Sequence, residues 1–142
     1  MGSVKFTYTV LRKLGKKAKK LTGNKDTVVF YHFYPSTADA ELNLATFLER
    51  AIFDQSRDYF LNLVDSPQLD MPAFEHIKVL RYQNTDADFG GLSAFIDEHG
   101  DELKGKNLFI ANSSVAGPFT PPNYPLHWID VFSSRLKDNV GA

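Results

Sequence analysis

Thr27-Val28-Val29-Phe30-Tyr31-His32-Phe33-Tyr34-Pro35 decides the fold. The first seven of these residues are β-branched or aromatic and apolar almost throughout. Such a run predicts a strand over 27–33 that is covered on both faces and central in its sheet. Pro35 ends it, Ser36 is placed to cap a helix with Asp39 at its third position, and Leu42, Ala45, Leu48 and Ile52 recur at helical spacing. Further along, Tyr59 to Val64 and Ile77 to Tyr82 predict two more strands, and Gly90 to Glu98 a helix bounded by His99 and Gly100. Asn107 to Ala111 predicts a fourth strand. Leu126 to Leu136 predicts a final helix with Trp128, Ile129 and Phe132 on one side. Strands that alternate with helices in this way define an α/β domain over residues 26–142, a three-layer sandwich with a mainly parallel, Rossmann-like sheet.

A chain of 142 residues is long enough to bury a core without disulfides or a structural metal, so the absence of cysteine leaves nothing missing. That absence excludes a disulfide framework, a thiolate zinc site, a cysteine nucleophile and an iron–sulfur cluster. No run of about 18 apolar residues suggests a membrane span, and the first residues lack the pattern of a secretory signal, so a cytoplasmic location is expected. The net charge of −1 divides into +8 over residues 1–25 and −9 over the remainder. Within the basic arm, Leu11, Leu14, Ala18 and Leu21 follow helical spacing while the lysines fall mostly on other faces. Three readings of residues 10–20 stand: an anchor on an anionic membrane surface, a solvated leader packing one leucine stripe, or a nucleic-acid contact. No aromatic side chain interleaves the lysines as a base-stacking surface requires, which disfavours nucleic acid.

Ligands of open parallel sheets collect beyond the carboxyl ends of the strands. That rule selects the loops Tyr31 to Thr37, Asp65 to Pro72, Gln83 to Gly91 and Asn112 to Tyr124. The third contains Asn84-Thr85-Asp86-Ala87-Asp88-Phe89-Gly90-Gly91. Two carboxylates and two glycines at a helix start suit a metal–phosphate pair, because glycines let backbone amides approach an anion and carboxylates two apart can hold a hard cation. The same residues also suit plain capping, with Asp86 or Asp88 at the helix start and glycines permitting the turn. The fourth loop begins Asn112-Ser113-Ser114, small polar side chains able to bond a sugar or phosphate, or to satisfy their own backbone.

His32, His76, His99 and His127 show no metal-ligand spacing. His32 lies in the apolar strand, as a hydrogen-bonded core residue or as a site residue at the strand's carboxyl end. His127 is expected to cap the final helix. The chain has no phosphate-binding loop ending in Lys-Ser or Lys-Thr, no Gly-Xaa-Gly-Xaa-Xaa-Gly and no Gly-Xaa-Ser-Xaa-Gly, which disfavours P-loop, classical dinucleotide and α/β-hydrolase enzymes.

Val29 to Pro35, Tyr59 to Val64, Asn84 to Gly91 and Asn112 to Pro118, taken in order, resemble the rhamnan-synthesis-F type of glycosyltransferase-like domain, over about residues 27–136. The matching positions are His32 and Tyr34, Asn84 and Asp88, and Asn112, Ser114, Gly117 and Pro118. The resemblance implies a GT-A-like fold, a nucleotide-sugar donor and transfer to a surface or cell-wall glycan, with the chain supplying the donor-binding half. It implies donor contacts from His32, Tyr34, Asn84, Asp88, Gly90, Gly91, Asn112, Ser113 and Ser114, and a glycan or lipid-linked acceptor. Asp86 stands where the family prefers glycine, and Ser113 where a metal-binding aspartate is expected. Asp86 and Asp88 are therefore the candidates for a divalent Mn or Mg. The alternative is a non-catalytic α/β binding module in which these loops are caps and turns.

Overall fold

The computed structural model describes residues 26–51, 57–66, 69, 71, 75–84, 87–121 and 123–134, with the side chains of 87 and 88 left aside. The basic arm 1–25, Asp86 and the Asp88 carboxylate therefore lie outside the described residues. The elements are β1 (Thr27–Phe33), α1 (Ala40–Arg50), β2 (Asp58–Leu63), β3 (Ile77–Leu80), α2 (Ala87–Leu103), β4 (Asn107–Asn112) and α3 (Trp128–Ser133). The four strands form one sheet in the order β3-β2-β1-β4, every pair parallel.

β1 is central and buried at all seven positions, as its composition predicts. Alternation along β1 and β2 splits the core in two. Val29, Tyr31, Phe33, Tyr59, Leu61 and Leu63 face α1 and α3, where Leu44, Phe47, Leu48 and Ile129 meet them. Val28, Phe30 and Phe60 face α2 and pack on Phe95. Phe95 stacks on Phe30 with ring centroids 4.8 Å apart and lies as close to Phe60. Each such fully buried ring contributes about 1.5–3 kcal/mol relative to leaving it in water. The three-layer sandwich expected from the sequence is the fold.

Several element boundaries differ from expectation: α2 begins at Ala87, three residues before Gly90, β3 ends at Leu80 and α3 begins at Trp128. Two further differences have identifiable reasons. α1 begins at Ala40 with Asp39 at the cap position and without a side-chain cap bond. Ser36 is instead drawn into a tight turn, its N–H donating to the Tyr34 carbonyl at 2.8 Å. α2 runs through His99 and Gly100 to Leu103. The break that Gly100 was expected to make comes at Gly105, whose φ of +75° favours glycine, while Lys106 N–H closes back on the Leu103 carbonyl at 3.0 Å. The carboxyl end of α1 is held by the Tyr59 hydroxyl, which donates to the Ala51 carbonyl at 2.7 Å. α3 is docked through the Arg57–Asp130 ion pair and is capped by His127, whose ring Nδ1 accepts from Ile129 N–H. Among the described residues no helix is long and apolar enough to cross a membrane.

Candidate functional site

The strand order fixes where the sheet opens. From β1 the chain moves outward to β2 and β3, then returns across the sheet to pair β4 with the other edge of β1. β1 and β4 are thus the switch point of a doubly wound sheet, with the crevice beyond their carboxyl ends.

Ser113 closes the base of that crevice. Its N–H donates to the His32 carbonyl at 3.0 Å, its hydroxyl lies 3.2 Å from both the N–H and the carbonyl of Tyr34, and its carbonyl accepts from the Asn43 side chain at 2.9 Å. Each of its polar groups is engaged within the protein, so Ser113 acts as a clasp between the two loops and not as a free ligand group. Asn112 accepts the Ser114 N–H on its Oδ1 at 3.1 Å, an Asx turn that leaves Ser114 exposed. Tyr34 is half-buried and joins the crevice through its backbone.

On the α2 side, His32 is buried with its Nδ1 3.3 Å from Asn62 Nδ2. Asn62 Oδ1 accepts the Tyr82 N–H at 3.0 Å, which identifies the amide nitrogen as the atom facing His32. An amide nitrogen only donates, so His32 Nδ1 accepts and the ring proton sits on Nε2. Against this pair lies Gly91 in the first turns of α2. A Cβ at that position would come within 2.5 Å of Asn62 Nδ2 and 3.1 Å of His32 Nδ1. Gly91 therefore lets the helix approach the strand, the close helix–strand packing for which such glycines serve. Gly90, half-buried, and the exposed Asn84 lie on the same path from β3 into α2.

The structure brings His32, Tyr34, Gly91, Asn112 and Ser113 together at the end of β1, with Asn112 in register beside His32. Asn62 joins them without having been singled out from the sequence. Its signal was present, as a lone amide in the otherwise apolar run Tyr59 to Val64. Among the described residues no group of three or more His, Asp or Glu converges in a way that could hold a metal. The donor chemistry of Asp86 and Asp88, hard carboxylate oxygens two residues apart, fits Mg or Mn.

On the opposite face a cavity of about 180 Å³ opens between β1, β4, the 115–118 loop and α3. Sequence periodicity assigns its aromatic residues simply to the core. Burial pushes the Tyr31 hydroxyl well above its ordinary pKa of 10.0, and burial together with the neighbouring Glu98 carboxylate does the same for Tyr82. A raised tyrosine contributes stability that is present below the ordinary value and lost as the pH climbs past it. Denaturant unfolding should accordingly show stability falling above about pH 10, by up to about 1.4 kcal/mol per pH unit for the buried Tyr31 and by less for Tyr82, whose bond to Glu98 is exposed to solvent. Tyr31→Phe should flatten that fall; an unchanged slope would mean that Tyr31 titrates as an exposed phenol.

Compared with family models, with curated proteins and with solved structures, the chain matches none.

Proposed function

We propose that the chain is the donor-binding half of a glycosyltransferase-like domain, taking a nucleotide sugar at the carboxyl end of its sheet for transfer to a surface or cell-wall glycan. The observation that most supports this is the meeting of two loops at His32, with Gly91 of α2 on one side and Asn112 and Ser113 on the other. Open parallel sheets bind nucleotides at such a switch point. The first turn of α2, which begins at Ala87, offers the positive end of a helix dipole to the diphosphate. Asn84 and Asp88 lie towards the nucleotide, and Asn112 and Ser114 towards the ribose or sugar. Asp86 and Asp88 would hold a divalent Mn or Mg, whose charge offsets that of the leaving diphosphate. The basic stripe over residues 10–20 keeps the domain at the cytoplasmic face of an anionic membrane, beside a lipid-linked acceptor.

A second reading is favoured by two particular observations. Ser113 spends its polar groups on the protein itself, and packing alone accounts for Gly91. Both suit a non-catalytic binding module. Titration calorimetry with UDP-, dTDP- and GDP-sugars, with and without manganese, separates the two. A donor-binding domain gives saturable heat that Asp88→Ala weakens about tenfold, the loss of about 1.4 kcal/mol expected for one charged contact. No heat with any nucleotide sugar would overturn the transferase reading and leave the module.

A further inference from the structure

The outer edge of β4 is the least protected border of the sheet. Among the described residues β4 has one strand neighbour, β1. The Asn107 N–H donates to the Asp26 carbonyl and the Ser113 N–H to the His32 carbonyl, so the odd-numbered residues here turn their backbone groups towards β1. Along a parallel strand these groups alternate in direction, and the N–H and C=O of Leu108 and Ile110 therefore point away from β1. An edge of this kind recruits another strand unless charge or proline blunts it. β3, at the other border, carries Lys78, which pairs with Glu102. β4 reads Asn107-Leu108-Phe109-Ile110-Ala111-Asn112, without charge or proline, and Ile110 is 57% exposed.

The chain carries a segment that fits this edge. Val4-Lys5-Phe6-Thr7-Tyr8-Thr9-Val10, outside the described residues, alternates apolar with polar side chains and, apart from Lys5, consists of β-branched and aromatic residues. One apolar and one polar face suit an edge strand covered on one side, and Lys5 supplies the blunting charge that β4 lacks. The tether is also in the right place. Asp26 sits beside Asn107 at the amino end of β4, and β1 already has a neighbour on each side, so a strand preceding β1 finds its nearest open edge at β4. Returning from the far end of such a strand to Asp26 covers about 20 Å, at roughly 3.3 Å per residue along β4. Residues 11–22, with Leu11, Leu14, Ala18 and Leu21 at helical spacing, span about 18 Å as a helix, and Gly23 is placed to end it. This connection steps across the sheet in the same direction as α1. Right-handed crossovers put both on one face, where the exposed Phe132, packed on Phe109, offers the leucines a contact.

We propose that residues 4–10 add a fifth strand, parallel to β4 along its outer edge, with residues 11–22 as the helical crossover into β1. The inference does not rest on the nucleotide-sugar reading. Amide hydrogen exchange of the full chain, followed by NMR, tests it, with Phe109 reporting the β1–β4 ladder and Ile110 the outer edge. Ile110 should exchange at least about tenfold more slowly in the parent than in Tyr8→Pro, because proline breaks a strand, while Phe109 is unchanged. A second measurement uses the lack of native cysteine. A nitroxide on Thr7→Cys should broaden the Ile110 amide far more than that of Lys78, and only within one molecule. Equal exchange of Ile110 in parent and Tyr8→Pro, broadening as strong at Lys78 as at Ile110, or broadening of isotope-labelled chains by separate nitroxide-bearing chains, the sign of a second copy on the edge, would each overturn the proposal.

Discussion

Gly91→Val is expected to destabilise the domain by about 3 kcal/mol, whereas Gly100→Ala, nine residues further along the same helix, should stabilise it by about 0.5–1 kcal/mol. Intrinsic helix propensity favours both substitutions, so it cannot account for opposite signs. The difference lies in what each new side chain meets. At Gly91 even a Cβ falls 2.5 Å from Asn62 Nδ2, and Asn62 cannot swing aside without giving up the Tyr82 N–H on its other end. Valine adds two further carbons in that gap, and the helix must lift from the sheet to admit them. At Gly100 nothing lies within 4 Å of a new Cβ, so only the backbone entropy of glycine is removed. Urea unfolding with an unchanged m-value measures both. A Gly91→Val variant within 0.5 kcal/mol of the parent would show that the helix does not approach the strand so closely.

Asn62→Leu should cost about 2–3 kcal/mol although the two side chains share the same heavy-atom count and branching. Asn62 is fully buried and satisfies two groups at once, the Tyr82 N–H at 3.0 Å and His32 Nδ1 at 3.3 Å. Each group left unpaired in the interior costs about 1–3 kcal/mol, and the extra apolar burial of leucine returns only about 1–2 kcal/mol. Coupling to His32 is the sharper test. If the amide and the imidazole act as a pair, Asn62→Leu combined with His32→Leu loses less than the two single variants together, by 0.5 kcal/mol or more. Strict additivity would mean that the two side chains are neighbours without an energetic bond.

The fold was legible because its decisive stretches obey one constraint at a time. Thr27 to Phe33 has no polar face to show to water, and burial at every position follows from that alone. Leu42, Ala45 and Leu48 keep helical spacing, although Leu42 turns to solvent and Phe47 takes the inner position. Boundaries were harder to read, because they depend on which of two local options a residue takes. Ser36 could cap or turn, and Gly100 could stop a helix or sit within it; tertiary packing chose the second in each case. The candidate site was legible as a set of loops but not as a set of roles. Ser113 looked like a ligand group and is a clasp, Gly91 looked like a phosphate cradle and makes room for Asn62, and Asn62 itself needed two partners from distant segments to stand out. The Tyr31 cavity was not legible at all, since a hollow between Phe47 and Trp128 arises from how two helices sit and leaves no periodicity behind.

The hydrogen bonds between Tyr34 and Ser113 join residues 79 apart in the chain. Closing a loop of that length must precede any reward from the contacts that it brings, so the β1–β4 ladder belongs to the slow, non-local part of folding. β1, α1 and β2 can associate from nearby sequence, and until β4 arrives one edge of the central strand stays open. The crevice is therefore assembled by the same event that completes the sheet. During synthesis, a chain that has not yet reached Ser113 has neither a second partner for β1 nor the crevice, and both are gained together.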